Sequence, residues 1–378
     1  MATQRILDFL ATRRPSGPCL VVDLDVVRDN FRAFEKALPD SKIYYAVKAN
    51  PAPEILRLLA AMGSSFDTAS VAEVEMAMDA GAPADRISFG NTIKKERDIA
   101  RAYQLGIKLF AVDCVEEVEK IARVAPQSRV FCRVLTDGAG AEWPLSRKFG
   151  CVPAMAVDVL RHARGLGLDA YGVSFHVGSQ QCDLTAWDRA LGDAKTVFAT
   201  LAEEGIVLKM VNMGGGFPTR YLKDVPVAQA YGQAIFSALR KHFGNRIPET
   251  IIEPGRGMVG NAGVIEAEVV LVSRKSKREE EVRWVYLDIG KFGGLAETMD
   301  ESIRYPIRTD HDEDRMAPCV LAGPTCDSAD VLYEKKPYPL PITLTVGDEV
   351  LIENTGAYTT TYSAVAFNGF EPLRSYVI

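Results

Sequence analysis

Residues that could do chemistry stand at the ends of five apolar stretches of this chain. They are Lys48 in YAVKAN, Asp67 in FDTAS, His176 and Ser179 in SFHVGS, Gly214, Gly215 and Gly216 in NMGGGF, and Glu253 and Arg256 in EPGRG. Taken singly, each has an ordinary structural reading, such as a solvated surface lysine or a carboxylate–arginine ion pair within the fold. The question is whether one ligand would need all of them.

One cofactor uses this set of groups together. A lysine amine can form a Schiff base with an aldehyde, and backbone N–H groups in a glycine run can approach a phosphate closely. A carboxylate can keep a pyridine nitrogen protonated, and a histidine can stack on the face of the ring. Aldehyde, phosphate and pyridine nitrogen together describe pyridoxal 5'-phosphate (PLP). The sequence contains no His/Asp cluster of the kind that would indicate a metal site.

The elements that must position these residues follow a repeated pattern of a short apolar run and then a helical periodicity. The eight candidate strands are KIYYAVKAN, SSFDTAS, RISFGN, IKLFAVD, RVFCRVL, AYGVSFHVG, LKMVNMGGG and TIIEPGR. Alternating βα units predict a parallel sheet, and eight of them match a closed (β/α)8 TIM-type barrel, which we assign to residues 24–262. An open doubly wound sheet is the alternative, although no GxGxxG follows an early strand.

The barrel prediction brings the chemical residues to one place, because the carboxyl ends of all eight strands meet at one mouth. After residue 262 the sequence alternates apolar and polar positions and predicts a C-terminal all-β domain over residues 263–378. Residues 1–23, with PCLVVDLD as a strand, are assigned to the same β-domain.

Composition excludes several classes of function. The net charge is −6 and no Lys/Arg block stands out, so we expect no nucleic-acid partner and no acidic membrane surface. No apolar run approaches about 18 residues, and the N-terminus shows no signal peptide. Seven scattered cysteines predict neither zinc nor disulfides, and they favour a cytoplasmic location. Apart from Cys326, we expect them to be ordinary buried residues.

The chain resembles, over nearly its whole length, the alanine-racemase-like fold-type III PLP decarboxylases, and within them the ornithine/lysine decarboxylases. The motifs that carry this resemblance are YAVKAN, FDTAS with AEV, SFHVGS, NMGGGFP, EPGR, GPTCDSAD, ENTGAYT and FNGF. EPGR and GGGF are modest signals individually, but the whole set in this order is highly specific.

The resemblance implies a role for each matching residue at the cofactor. Lys48 would bind the cofactor aldehyde, Asp67 and Glu73 would lie near it, His176 would stack on its ring, and Glu253 would pair with its ring nitrogen. The phosphate would be held by Ser179, Gly214, Gly215, Gly216, Gly255, Arg256 and Tyr358. Glu253 also separates this chain from an alanine racemase, in which an arginine is expected at the ring nitrogen.

The resemblance also implies roles on the substrate side, where Cys326 and Asp327 would come from the second subunit of a homodimer with shared active sites. The resemblance implies that Cys326 returns a proton to the α-carbon and that Asp327 recognises a distal amine. Asp300 or Glu301 would supply a second carboxylate, of which Glu301 matches better by residue count. Phe367 would close the shared pocket.

The sequence departs from the family pattern at two points. Pro144 stands just before LSRKFG, where eukaryotic ornithine decarboxylases have an arginine, and Arg147 is a candidate to compensate. Phe292 replaces a tyrosine in GKFGG. These departures affect the substrate side more than the cofactor side.

The predicted activity is that of a carboxy-lyase converting L-ornithine to putrescine and CO2, with L-lysine to cadaverine as an additional reaction, in polyamine biosynthesis. The two substrates differ by one methylene, worth only about 1–3 kcal/mol, so the sequence does not separate them. The alternatives are a diaminopimelate or other amino-acid decarboxylase of the same fold, or a catalytically inactive regulatory homologue.

Overall fold

The computed structural model describes residues 2–13, 15–143, 148–277 and 282–378. These residues form two units. One comprises residues 28–218 and 225–258, and the other comprises residues 1–27, 219–224 and 259–378. We call them the barrel unit and the sheet unit, and number strands and helices along the chain.

The barrel unit is built on eight parallel strands that close on themselves. They are β2 (Ser41–Ala46), β3 (Ser65–Thr68), β4 (Ile87–Phe89), β5 (Leu109–Val112), β6 (Arg129–Arg133), β8 (Asp169–Ser174), β10 (Met210–Asn212) and β11 (Glu249–Ile252). All eight correspond to the strands predicted from the sequence. Strand β11 pairs with β2, which closes the barrel through the register Thr250 to Ser41.

Side chains from several strands fill the interior of the barrel. The buried cluster consists of Tyr44, Leu109, Ala111, Phe131, Tyr171, Met210 and Ile251. A packed interior of this kind is a core rather than a channel, so it leaves the strand ends as the place for chemistry. A short antiparallel pair, β7 (Ala141–Trp143) and β9 (Ser179–Gln181), lies beyond two of these ends.

Helices precede, connect and follow the barrel strands. They are α2 (Leu24–Ala37), α3 (Pro53–Ala61), α4 (Val71–Asp79), α5 (Glu96–Gln104), α6 (Val115–Val124), α7 (Pro153–Gly165), α8 (Ala186–Glu203), α9 (Ala228–Phe243) and α10 (Arg256–Val259). Short 3-10 turns occupy Val47–Ala49, Ala84–Arg86, Gly260–Ala262, Ala296–Glu301 and Phe367–Gly369. No helix in the described ranges is both long and apolar enough to span a membrane.

The sheet unit contains an eight-stranded mixed sheet. Its strands are β1 (Cys19–Val22), β12 (Gly263–Ser273), β13 (Arg283–Leu287), β14 (Ile307–Thr309), β15 (Met316–Ala322), β16 (Val331–Pro341), β17 (Glu349–Glu353) and β18 (Arg374–Val377). The fold-class prediction, a (β/α)8 barrel with a further mostly-β domain, is therefore confirmed.

Two local features differ from the sequence predictions. Residues 4–13 form helix α1 (Gln4–Arg13), which buries Ile6 and Leu10 against Cys19, Val21 and Val264 of the sheet. Helix α1 was not predicted, because two apolar contacts in ten residues give a weak periodic signal. The expectation that the cysteines outside the site are buried is wrong for Cys182, which is exposed, and for Cys114, which is only half-buried.

A half-buried glutamate in the sheet gives the stability of this unit a pH dependence. Burial, followed by repulsion from Glu349 and Asp288, raises the pKa of Glu266 from 4.5 to about 7. The fold therefore favours the protonated form of Glu266. The contribution of this group to the free energy of unfolding is fully present below pH 4.5 and is lost as the pH rises through about 7. Glu266→Gln should raise the free energy of unfolding at pH 8 by on the order of 1 kcal/mol, after allowance for solvent screening.

Urea unfolding at pH 8 and pH 4 measures this difference, and the gain should vanish at the lower pH. Glu268→Gln is the matched control, because Glu268 lies two residues along the same strand and is exposed. Equal effects of Glu266→Gln at both pH values would contradict the assignment.

Candidate cofactor site at the mouth of the barrel

Lys48 follows the first barrel strand directly. It lies in the turn Val47–Ala49 after β2, and its two neighbours in that turn are buried while Lys48 is exposed. The turn is anchored at its far end, because the Tyr45 hydroxyl donates to the Asn50 carbonyl at 2.8 Å. The amine is thus carried on a fixed segment at the carboxyl end of a strand.

Asp67 lies on the next strand, and its carboxylate is closely enclosed. A Cβ on Gly90 would lie 1.8 Å from Asp67 Oδ1, so glycine is required there to make room for the carboxylate. Ser88 Oγ lies 3.5 Å from the same oxygen. Burial raises the pKa of Asp67, and the positive charges of Lys48 and Arg133 act in the opposite direction.

Glu73 has a structural task that the sequence analysis did not assign. Its carboxylate accepts the Ala69 N–H at 2.6 Å, and Ser70 Oγ accepts the Glu73 N–H at 3.3 Å. This reciprocal arrangement caps helix α4 in the manner of a capping box. Burial is the main cause that raises the pKa of Glu73. The charge of Asp67 also raises this pKa, whereas the hydrogen bond from Ala69 and the charge of Lys48 lower it.

His176 is held as a neutral ring. Its Nδ1 accepts the Gly178 N–H at 3.0 Å, so in the neutral form the hydrogen is on Nε2. Burial lowers the pKa of His176 well below its usual 6.5, and the charges of Arg133 and Lys48 lower it further. A neutral, flat imidazole is suited to stacking on an aromatic ring.

The glycine run after β10 is a cradle that no larger residue could form. A Cβ on Gly214, which has a φ of +65°, would lie 2.1 Å from the Phe175 carbonyl oxygen, and one on Gly215 would lie 2.6 Å from the Glu253 carbonyl oxygen. The segment therefore packs directly on the backbone after β8 and β11. This is the close backbone approach expected of an anion-binding loop.

Asn212 links the cradle to Glu253, and the sequence analysis missed it. The buried Asn212 amide donates to Glu253 Oε1 at 2.5 Å, and its oxygen accepts the Gly214 N–H at 3.0 Å. Asn212 stands two residues before Gly214, and this position beside the glycine run is the feature of the sequence that could have identified it. Asn212 thereby fixes both the anion loop and the carboxylate.

Half-buried Glu253 and Arg133 complete the set of charges at this site. Burial, with repulsion from Asp67, raises the pKa of Glu253 to about 7, against the Asn212 hydrogen bond and the charges of Lys48 and Arg133. Arg133, at the end of β6, was also missed, and burial lowers its pKa while Glu253 and Asp67 raise it. A cationic ring nitrogen beside Glu253 would favour its ionised form.

Arg256 and Ser179 lie together beyond the cradle. Arg256 is buried at the start of α10, directly after Gly255, and its Nε and Nη2 lie 3.4 and 3.3 Å from Ser179 Oγ. A buried guanidinium beside a hydroxyl suits a phosphate. Glycine cradle, arginine, neutral histidine, carboxylate and lysine together fit PLP.

The sheet unit holds the remaining predicted residues. Cys326 and Asp327 are exposed, and Asp327 Oδ1 accepts the Ala329 N–H at 2.8 Å. The Phe367 ring lies 5.0 Å from that of Phe292. Tyr358 has a left-handed backbone with a φ of 59°.

Asp300 and Glu301 are adjacent, but their carboxylates are used differently. Glu301 Oε1 accepts the N–H groups of Glu334 and Lys335 at 2.8 and 2.5 Å, and its Oε2 accepts from Arg304 at 2.8 Å. The Asp300 side chain is 81% exposed and lies 3.4 Å from Lys335 Nζ. Of the two candidates, Asp300 has the carboxylate more accessible to a ligand. Pro144 and Arg147 lie outside the described residues.

A (β/α)8 barrel with a strand-end lysine, an anion cradle and a carboxylate at its mouth, together with a mostly-β unit, defines the alanine-racemase-like class of PLP enzymes. The family model "Pyridoxal-dependent decarboxylase, pyridoxal binding domain" matches residues 24–260. The chain belongs to this family of pyridoxal-dependent decarboxylases, and PLP is its cofactor.

Individual relatives agree with this assignment. The chain is 36% identical over 370 residues to a lysine/ornithine decarboxylase of Selenomonas ruminantium, covering 97% of this chain and 91% of the relative. The structure of SrLDC with PLP and cadaverine matches with a TM-score of 0.88 and 33% identity, covering 100% of this chain and 94% of the other. A lysine/ornithine decarboxylase of Vibrio vulnificus complexed with cadaverine matches with a TM-score of 0.89 and 31% identity, covering 100% of both chains.

Proposed function

We propose that the protein decarboxylates a basic amino acid, with L-ornithine converted to putrescine as the main reaction and L-lysine to cadaverine as a second, in polyamine formation. The observation that carries the substrate class is the pair of exposed carboxylates, Asp300 and Asp327, in the sheet unit. Carboxylates of this kind suit a distal ammonium, whereas diaminopimelate would need cations for its distal carboxylate.

Each residue of the barrel mouth has a task in this proposal. Bound PLP withdraws electrons from the substrate's α-carbon. Lys48 holds the cofactor and later releases the product, His176 supports the ring face, and Glu253 holds a proton at the ring nitrogen. Ser179, Arg256 and the glycine cradle orient the phosphate. These positions keep the breaking bond aligned with the ring's π system.

The sheet unit supplies the substrate side. We propose that Cys326 returns a proton to the α-carbon, that Asp327 and Asp300 bind the distal ammonium, and that Phe367 closes the pocket. As the family resemblance implies, Cys326 and Asp327 would act in the partner's site of a homodimer. The related enzymes of Selenomonas and Vibrio, solved with cadaverine, support this substrate class.

A panel of amino acids tests the proposed function. Purified protein with PLP should release CO2 from ornithine and lysine, with putrescine and cadaverine identified by mass. The two kcat/KM values should differ by no more than about 10–200-fold, the range expected for one methylene. CO2 release from diaminopimelate alone, racemisation, or no reaction with any amino acid would contradict the proposal.

A matched pair of variants tests which acid binds the ammonium. Asp300→Asn should lower kcat/KM for ornithine by about 10–100-fold, the effect of one charged hydrogen bond. Glu301→Gln should instead lower stability, because Glu301 holds backbone N–H groups of residues 334–336. The reverse pattern would assign the substrate to Glu301.

A further inference from the structure

An asparagine in the tail of the sheet unit lies against Cys326. Asn368 Oδ1 accepts the Cys326 N–H at 3.0 Å and lies 3.4 Å from Cys326 Sγ. The two residues are 42 positions apart in the sequence. One amide oxygen therefore contacts both the backbone and the thiol of the same cysteine.

The backbone around Asn368 is unusual in a way that holds the amide in place. Ala366 and Asn368 have left-handed φ values of 53° and 52°, and Gly369 follows with 81°. Asparagine tolerates this conformation better than most residues with a side chain. Left-handed residues of this kind persist where the surrounding structure fixes them, and they cluster at functional sites.

We propose that Asn368 is a positioning residue for Cys326: its amide oxygen holds the thiol and fixes the direction of the S–H hydrogen. An amide oxygen can accept a hydrogen bond from S–H, but it has no donor hydrogen for a thiolate. The contact therefore holds the thiol by the same hydrogen that it gives up in the proposed reaction.

This inference rests on the proposed function, in which Cys326 returns the proton to the substrate's α-carbon. In that step the S–H bond breaks and a C–H bond forms, and the sulfur keeps the electron pair as a thiolate. Solvent then returns a proton to the sulfur, and the hydrogen bond to Asn368 Oδ1 forms again. A thiol whose hydrogen points elsewhere would slow this step.

Alkylation of the PLP-loaded protein by iodoacetamide at pH 7 tests the proposal without turnover. Only the thiolate reacts readily, and Cys182, also exposed, is an internal reference on the same molecule. Asn368→Gly keeps the left-handed backbone and removes the amide, so Cys326 should react about 2- to 10-fold faster, the effect of one hydrogen bond. Asn368→Asp keeps an acceptor and adds a negative charge, so Cys326 should react more slowly.

Asn354→Gly is the matched control. Asn354 is another left-handed asparagine of the sheet unit, with a φ of 62°, and its amide donates to the Arg220 carbonyl at 2.7 Å. This variant should leave Cys326 alkylation unchanged. A change equal to that of Asn368→Gly would show a general loosening of the unit and overturn the proposal.

Turnover separates this inference from the proposed function. With ornithine, Asn368→Gly should lower kcat by about 2- to 10-fold with little change in KM. Unchanged alkylation in both Asn368 variants of an enzyme that decarboxylates ornithine would overturn the Asn368 role alone. A third outcome is that Cys326 is alkylated faster in Asn368→Gly and more slowly in Asn368→Asp, but the protein decarboxylates no amino acid. That result would support the contact of Asn368 with the thiol and overturn the proposed function.

Discussion

Replacing Lys48 with alanine should reduce decarboxylation by at least about 10³-fold, the scale of losing a group that acts directly on the reacting atoms. Lys48 is the lysine at the carboxyl end of β2 whose charge acts on Asp67, His176 and Glu253. The protein should also lose the visible absorbance of lysine-bound PLP, while the glycine cradle and Arg256 still bind the phosphate.

A second lysine of the same strand provides the control. Lys42 lies near the start of β2, is exposed, and pairs with Glu249 at 3.0 Å. Lys42→Ala should keep both absorbance and turnover. If added methylamine partly restores the turnover of Lys48→Ala, the missing function is the amine itself. Full turnover of Lys48→Ala without methylamine would contradict the role assigned to Lys48.

Replacing Lys94 with methionine should lower the free energy of unfolding of the barrel unit by about 3 kcal/mol. The Lys94 side chain is fully buried, and its Nζ donates to the Asn91 and Ala111 carbonyls at 2.8 and 2.7 Å and lies 3.0 Å from Glu117 Oε1. Burial lowers its pKa to about 8, so the ammonium is still mostly charged at pH 7. Methionine would leave two carbonyls without their donor and would remove one of the two lysine partners of the buried Glu117 carboxylate, the other being Lys120 at 2.5 Å from Oε2.

The loop that Lys94 secures also reaches the cofactor site. Gly90 packs on the Asp67 carboxylate, and the Asn91 amide donates to the Ala69 carbonyl at 3.3 Å. Lys94→Met should therefore weaken PLP retention as well as stability.

Urea unfolding at pH 7 measures the loss of stability, with exposed Lys95→Met as a neighbouring control expected within about 0.5 kcal/mol of the parent. The double variant Lys94→Met with Glu117→Leu should regain part of the loss, because it also removes the buried carboxylate that has lost its ion pair with Lys94. A Lys94→Met protein as stable as the parent would show that the buried pair contributes nothing.

The sequence contained enough information to predict the barrel and most of its mouth. Each strand could be found from a short apolar run followed by a helical period, which are properties of neighbouring residues. Lys48, His176 and Glu253 could then be grouped, because the carboxyl ends of parallel strands in a barrel meet at one face. These predictions needed only local patterns and one rule of topology.

The residues that support the site could not be predicted in the same way. Asn212 and Arg133 act through contacts or charges of residues tens of positions away, and an asparagine or arginine at a strand end has no local signal of that kind. Residue count favoured Glu301 over Asp300, but counting does not show which carboxylate is already hydrogen-bonded to a neighbouring strand.

The sequence by itself thus determined the fold class and the cofactor, and it predicted which residues face the cofactor, since periodicity and motif order are properties of the chain itself. The tertiary structure decided the lowered pKa of His176, the close packing of Gly90 against the Asp67 carboxylate, and the contact of Asn368 with Cys326. The physical reason is that burial, hydrogen-bond partners and nearby charges depend on distances through space, which only the folded chain sets.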